Sequence, residues 1–303
     1  MGKTVKRDCS GWICAVKSVA IIGPNGQLGT DLVKIFTSTG WKVNPLTHSQ
    51  IAVEKLDSVE KALRNNQSDW VINTAAFHKV DDCERDSEKA WQVNALGAQF
   101  VAQIANTLGS KVVFISTDYV FSGNLPVGTL YQEDDLVSPV NAYGNSKAAG
   151  EIATLAANRN NLVVRISSVF GSAGSSGKGG NFVETIVDKA KNGKALNVVN
   201  DIQMSPTYTV DASAIIHKAI ELNSAGKLHA ANTGSATWFE FTKEILKLTG
   251  LKTQLSESHT NWELTPQRPK NSGLSGEKSR GIMGSHHSWQ DGLERYLKEK
   301  GHI

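Results

Sequence analysis

Short apolar runs alternate along this chain with longer segments whose apolar positions recur at helical spacing. SVAIIG (18–23), WKVNPL (41–46), DWVINTAA (69–76), KVVFIST (111–117) and NLVVRIS (161–167) read as buried strands. Between them, residues 27–36 place Leu28, Leu32, Val33, Ile35 and Phe36 on one helical stripe, and residues 59–63, 90–108 and 145–157 also read as helix. Strands that are apolar on nearly every residue must be covered on both faces. Repeated βα units of this kind predict a parallel sheet with right-handed crossovers. The expected fold class is therefore α/β, a Rossmann-type doubly wound sheet.

The alternation weakens after GSAGSSGKGG (171–180), whose glycines and serines predict a loop. Residues 238–248 then form a helical pattern with Thr237 available as its N-cap, residues 251–285 are polar and proline-containing, and residues 289–297 predict a closing helix. The expected organisation is an N-terminal tail over 1–16, a dinucleotide-binding domain over 17–171 and 202–232, and a smaller α/β substrate-binding region over 172–201 and 233–303. No internal repeat is visible.

The chain has 303 residues, 40% hydrophobic and 20% charged, enough for one large core with an appendage or for two modest domains. Its net charge of +3 is small and its basic residues are dispersed, so there is no case for nucleic acid as a partner. No apolar run approaches the length of a membrane span, and GWICAV is too short for a secretory apolar core, although Lys3, Lys6 and Arg7 leave an organelle signal as a second reading of the tail. Cys9 and Cys14 have four residues between them and Cys83 stands alone. No second Cys/His pair completes a metal site, so three free thiols in a reducing, cytoplasmic setting are expected and no metal.

GPNGQLG (23–29) closes the first strand and opens the first helix. Such a turn needs Gly23, Gly26 and Gly29 for a tight bend, for backbone approach to a pyrophosphate and for close helix–strand packing. The helix start then offers free N–H groups to the phosphates. The GxxGxxG spacing is that of short-chain dehydrogenases. After the second strand come Thr47, His48 and Ser49 with no carboxylate to hold a ribose 2′-hydroxyl, which favours NADPH and leaves NADH as the alternative.

YGNSK sets Tyr143 four residues before Lys147, on one helical face. A phenol near an ammonium loses its proton more readily, and an effective dielectric of about 20 allows roughly 4 kcal/mol at 4 Å. Tyr143 could then serve as a general acid toward a carbonyl oxygen. STDYVF (116–121) ends the strand 111–117 at the carboxyl edge of the sheet, where ligands bind in such folds. A hydroxyl there, Ser116 or Thr117, could polarise the carbonyl. Strand phase separates the two, and sequence does not supply it.

With these motifs in order, the chain resembles the extended short-chain dehydrogenases and, within them, the dTDP-4-dehydrorhamnose reductase family. The resemblance runs from about residue 18 to 298. It rests on GPNGQLG, VINTAAFHKVDDCE (71–84), STDYVFSG (116–123), NAYGNSKAAGE (141–151), GGNFVETI (179–186), VVNDIQMSPT (198–207), GSATWFEF (234–241) and RPKNSGL (268–274). It implies Thr117, Tyr143 and Lys147 as the catalytic set, with Lys147 holding the nicotinamide ribose. Gly23, Asn25, Gly26, Gln27, Leu28 and Gly29, with Ala76, Phe77 and His78, are implied around the cofactor. Thr117, Asp118, Asn181 and Arg268 are implied around a nucleotide-sugar substrate whose 4-keto group is reduced. The resemblance is compatible with a homodimer.

There are departures. The family's acidic residue near the adenosine is replaced by Ala52, with Asp57 nearby in uncertain register, and its RTSWVYG motif reads RISSVFG (165–171), with Ser168 in place of an aromatic residue. Both changes leave the reductase chemistry intact and bear on which sugar is bound. Two rivals remain: a noncatalytic regulatory subunit like the partner of methionine adenosyltransferase, for which Ser168 speaks, and an epimerase of the same superfamily, against which the missing acid after the second strand speaks. His78 reads as cofactor-lining. His286 and His287 read as a surface loop, Cys83 as a small core residue, and Asp81, Asp82 and Glu84 as a polar helix start. Trp238 opens a helix that could line the cleft.

Overall fold

The computed structural model describes residues 5–7, 13–126, 128–174, 180–261 and 266–303. Cys9, the side chain of Cys14 and the centre of the glycine–serine loop (175–179) lie outside the described residues. Six parallel strands form the central sheet in the order Gly226–His229, Leu162–Ile166, Lys111–Thr117, Trp70–Asn73, Ser18–Ile22, Lys42–Leu46. The order reverses after the first strand, so the chain winds outward in both directions from Ser18–Ile22. That reversal opens a crevice at the carboxyl edge.

Alternate side chains of the central strands feed two cores. Val19, Ile21, Ile72, Val113, Ile115 and Val164 pack against the helices Gln27–Ser38 and Thr209–Glu221 through Leu32, Phe36, Ile216 and Ile220. On the other face Ala20, Ile22 and Val71 meet Val59 and Leu63 of the helix Leu56–Asn65 and Val101 of the helix Gly97–Thr107. This two-sided burial is why the strands read as continuous apolar runs.

Three features depart from the sequence reading. The segment read as a tail contains a two-stranded antiparallel ribbon, Val5–Arg7 with Ile13–Ala15, whose backbone groups satisfy one another apart from the main sheet. The strand Gly226–His229 was not evident in the pattern, because an edge strand of sequence GKLH has no apolar run. Residues 90–108 are not one regular helix: Ser87–Trp91 passes into a π-helical turn, Gln92–Leu96, before Gly97–Thr107. The wider turn holds Asn94 wholly buried.

The C-terminal region has its own core, in which Phe170, Val183, Ile186, Phe241, Ile245, Trp289, Leu293 and Tyr296 come together. Its helices are Phe182–Lys191, Trp238–Thr249 and Trp289–Glu299. Thr237 caps the second as expected, and the structure adds a reciprocal box with Glu240. Among the described residues no helix is long and apolar enough to cross a membrane.

Candidate active site

A cleft of about 1150 Å³ runs along the carboxyl edge of the sheet, from the glycine turn to the C-terminal region. At one end Gly23 adopts φ +79°, and a Cβ there would meet the Thr74 hydroxyl at 2.5 Å. A Cβ on Gly29 would lie 2.1 Å from the Gly23 carbonyl oxygen, so only glycine lets the helix start against the turn. Gly26, by contrast, has only that oxygen within reach, at 3.5 Å, and opens the helix Gln27–Ser38 without a side-chain cap. The helix start is thus clear for an anion. Asn25, Gln27 and Leu28 line the same end, and the Gln27 Oε1 is buried without a hydrogen-bond partner.

Ala76, Phe77 and His78 follow the strand Trp70–Asn73 along the cleft wall. Their path is set by Asn94, which the sequence reading did not single out. Its Oδ1 accepts from the Phe77 N–H and its Nδ2 donates to the Phe77 carbonyl, both at 2.9 Å, and to the Ser146 hydroxyl at 3.0 Å. Ser146 in turn donates to the Tyr143 carbonyl at 2.8 Å. One buried amide therefore ties the cofactor-side loop to the helix Ala142–Ala157. Thr47 and His48 line the far end, and so does Glu54, whereas Ala52 and Asp57 are not among the lining residues.

Thr117, Tyr143 and Lys147 meet at the middle of the cleft. Asn141 caps the helix that carries the last two by accepting from the Gly144 N–H at 2.7 Å, and Glu84 accepts from the Ala142 N–H at 2.6 Å. Gly144 is required because a Cβ would lie 2.1 Å from the Tyr119 carbonyl oxygen. Of the two hydroxyls at the strand end, Thr117 acts on the Tyr143 phenol, working against its upward shift. Ser116 also lines the cleft, with its hydroxyl buried and unpartnered.

The electrostatics differ from the expected simple pairing. Burial pushes the Tyr143 phenol above its ordinary value, opposed by the Thr117 hydrogen bond and reinforced by Asp118. Lys147 does not hold it down, because its Nζ donates to the Ile115 carbonyl at 2.5 Å and sits 4.0 Å from the Phe114 ring centroid. Burial lowers Lys147 to about 7, with Glu151 working the other way. Glu151 is itself clamped by Arg165 through two hydrogen bonds of 2.8 and 2.7 Å. The arrangement keeps Tyr143 protonated, the form an acid must have before it reacts.

Two residues expected at the substrate have other partners within the fold. Asp118 lines the cleft, and its carboxylate accepts hydroxyls from Thr117 (3.0 Å), Ser167 (2.8 Å) and Ser272 (2.6 Å), so it helps hold Thr117 in place. Burial raises Asp118 to about 6 despite those three hydroxyls. Asn181 is not among the cleft residues. It caps the helix Phe182–Lys191 and donates to the Gly171 carbonyl at 3.0 Å and the Tyr296 hydroxyl at 2.9 Å, which uses its whole amide. Arg268 does reach the cleft, as do Ser168, at φ +43°, and Trp238.

Residues 17–301 match the family described as RmlD substrate binding domain. This chain belongs to the RmlD substrate binding domain family. Over 286 residues it is 36% identical to the spore coat polysaccharide biosynthesis protein SpsK of Bacillus subtilis, covering 93% of this chain and 97% of that protein. It is 36% identical over 233 residues to a dTDP-4-dehydrorhamnose reductase of Mycolicibacterium smegmatis, covering 77% of this chain and 69% of the relative. A solved dTDP-4-dehydrorhamnose reductase of Bacillus anthracis, in complex with NADP, superposes with a TM-score of 0.87 at 33% identity and covers 94% of this chain and 99% of the other. The RmlD family assignment and the parallel sheet agree with the resemblance read from the motifs.

Proposed function

We propose that this protein reduces the 4-keto group of a nucleotide-linked 6-deoxysugar with NADPH, converting dTDP-4-dehydro-L-rhamnose to dTDP-L-rhamnose. The observation that carries the reading is the convergence of Thr117, Tyr143 and Lys147 in one cleft with an uncapped helix start at its end. The cleft fits a dinucleotide. Gly26 leaves room at the helix start, and the Gln27 and Ser116 side chains present buried polar atoms that lack protein partners. Gly23, Asn25, Gly26, Gln27, Leu28 and Gly29 would hold its pyrophosphate, and Ala76, Phe77 and His78 its flank. Thr47 and His48 put no carboxylate directly after the second strand, which favours NADPH over NADH.

The cofactor supplies hydride when bound. Thr117 orients the substrate carbonyl and Tyr143 gives its proton to the oxygen. Lys147 anchors the nicotinamide ribose, its ammonium passing from the Ile115 carbonyl toward the cleft. Arg268 binds the substrate phosphates. The division into a cofactor domain (17–171 and 202–232) and a substrate region (172–201 and 233–303) follows the same reading, as does a place in the cytoplasm.

The test is NADPH oxidation followed by absorbance, with the 4-keto-6-deoxy sugar nucleotide generated in situ by its 3,5-epimerase. Turnover in the native protein and a loss of at least about 100-fold in Tyr143→Phe are expected, since general acids contribute about 10²–10⁴-fold. Near-normal turnover in that variant rules the mechanism out. NADPH binding with no oxidation across several such sugars points instead to a regulatory subunit.

A further inference from the structure

We propose that Asp81 and Arg268 form a side-chain latch over the substrate end of the cleft, opened when the substrate's phosphates take the Arg268 guanidinium from the Asp81 carboxylate. The inference rests on the assignment of Arg268 to the substrate phosphates and adds the group that competes for it. Arg268 Nη2 lies 3.3 Å from both Asp81 carboxylate oxygens, and both residues line the cleft. Arg268 also donates to the Pro266 carbonyl at 3.2 Å and acts electrostatically on Tyr119, whose ring packs edge-on to that of Tyr143 with centroids 6.0 Å apart. The guanidinium thus lies between Tyr119 and the helix Val80–Arg85, which packs beside the start of the Tyr143 helix through Glu84 and Ala142.

The backbone on either side of Arg268 is held, so the movement belongs to its side chain. The Gln267 carbonyl accepts from Asn141, the cap of the catalytic helix, at 2.9 Å. The Lys270 carbonyl accepts from the Gln203 N–H at 2.7 Å, and Ser272 binds Asp118. Pro269 and Lys270 lie so close to Gly123 that a Cβ there would be 2.4 Å from their backbone. The side chain of Arg268 is 22% exposed and that of Asp81 60% exposed, so the carboxylate can return to water when released. A solvated carboxylate is a weak partner, and a phosphate offers the same fork geometry with more charge.

The neighbouring cations are partnered in the same way. Lys79 and Arg85 both pair with Asp82 and also line the cleft. An anion entering beside this helix meets Arg268, Lys79 and Arg85 already paired with carboxylates, while Lys89 stands over the Phe77 ring, so its affinity depends in part on how easily those carboxylates yield. Asp81 is then an affinity-setting residue that acts through Arg268.

The experiment measures dTDP affinity by titration calorimetry on the full chain saturated with NADPH, in wild type, Asp81→Asn, Arg268→Ala and the double variant. Asp81→Asn should tighten dTDP binding about threefold at low salt, the scale of an exposed ion pair, and the gain should shrink as salt screens it. Arg268→Ala should weaken binding, and in that background Asp81→Asn should change nothing. Asp81→Ser should act in the same direction as Asp81→Asn. Unchanged or weaker binding in Asp81→Asn overturns the latch, and so does an equal gain in the Arg268→Ala background, which would mean a general field effect. Unaltered affinity in Arg268→Ala alone overturns it as well. Because dTDP binding needs no turnover, absence of reductase activity would sink the proposed reaction without deciding the latch.

Discussion

Lys147 points its ammonium at the carbonyl of Ile115, 2.5 Å away, two residues before Thr117 on the same strand. Burial lowers its pKa from 10.5 to about 7, so near neutrality the free protein holds it part charged and part neutral. The folded value lies below the unfolded one. The ammonium therefore costs stability below about pH 7, and that cost fades as pH rises toward 10.5. An anionic cofactor favours the ammonium. At about pH 8 NADPH binding should take up part of a proton, seen as a binding heat that changes with the ionisation enthalpy of the buffer. Lys147→Met should remove the buffer dependence. A buffer-independent heat in the native protein contradicts the assignment.

Asp118 supplies a second pH signature. Its folded value of about 6 lies above the unfolded 3.8, so protonation favours the fold below about 3.8 and that contribution is lost as pH rises through about 6. Above that point the carboxylate accepts three hydroxyls; below it one oxygen carries a proton and one hydroxyl must turn. We expect kcat to fall on an acid limb with a midpoint near about 6. Asp118→Asn should be slow and flat across that range, and a native-like acid limb in the variant counts against Asp118 as its source.

Asn94→Ala should weaken both fold and cofactor site. It leaves the Phe77 N–H and carbonyl and the Ser146 hydroxyl without their buried partner. Unmet buried groups cost about 1–3 kcal/mol each, with partial rescue by water, so a loss of about 2–3 kcal/mol is expected, or about 5 °C in Tm. NADPH affinity should fall as the Phe77 loop loosens. A melting curve and an NADPH titration equal to wild type would refute this role.

The glycine turn separates folding from binding. Gly29→Ala would put a methyl 2.1 Å from the Gly23 carbonyl and should yield little folded protein. Gly26→Ala meets nothing closer than 3.5 Å, so it should fold and melt near the native temperature while binding NADPH at least tenfold more weakly. Equal NADPH affinity in Gly26→Ala would place the pyrophosphate elsewhere.

Much of the fold was legible. The five strands read from apolar runs are all present in the central sheet, because residues buried on both faces leave a continuous signature. The sixth, Gly226–His229, was not, since an edge strand needs no such run. The π-turn at Gln92–Leu96 also escaped, because one wide turn barely disturbs the apolar spacing of the helix around it. Asn94 therefore carried no signal, and Glu84, read as part of a polar helix start, gave no sign of its bond to the Ala142 N–H: each acts on backbone groups distant in sequence. Asn181, a polar residue in a recognisable motif, has its amide engaged in capping and packing, which local spacing does not reveal.

From the sequence alone came the α/β architecture, the glycine turn, the Tyr143–Lys147 pair and the family, all features written in local spacing. Tertiary structure decided the rest. It set Thr117 beside Tyr143, turned Lys147 toward Ile115, buried Asp118 among three hydroxyls and set Arg268 against Asp81. Spacing along a chain determines which residues share a face. Charge, burial and hydrogen bonding depend on what the opposite face brings, and only packing specifies that.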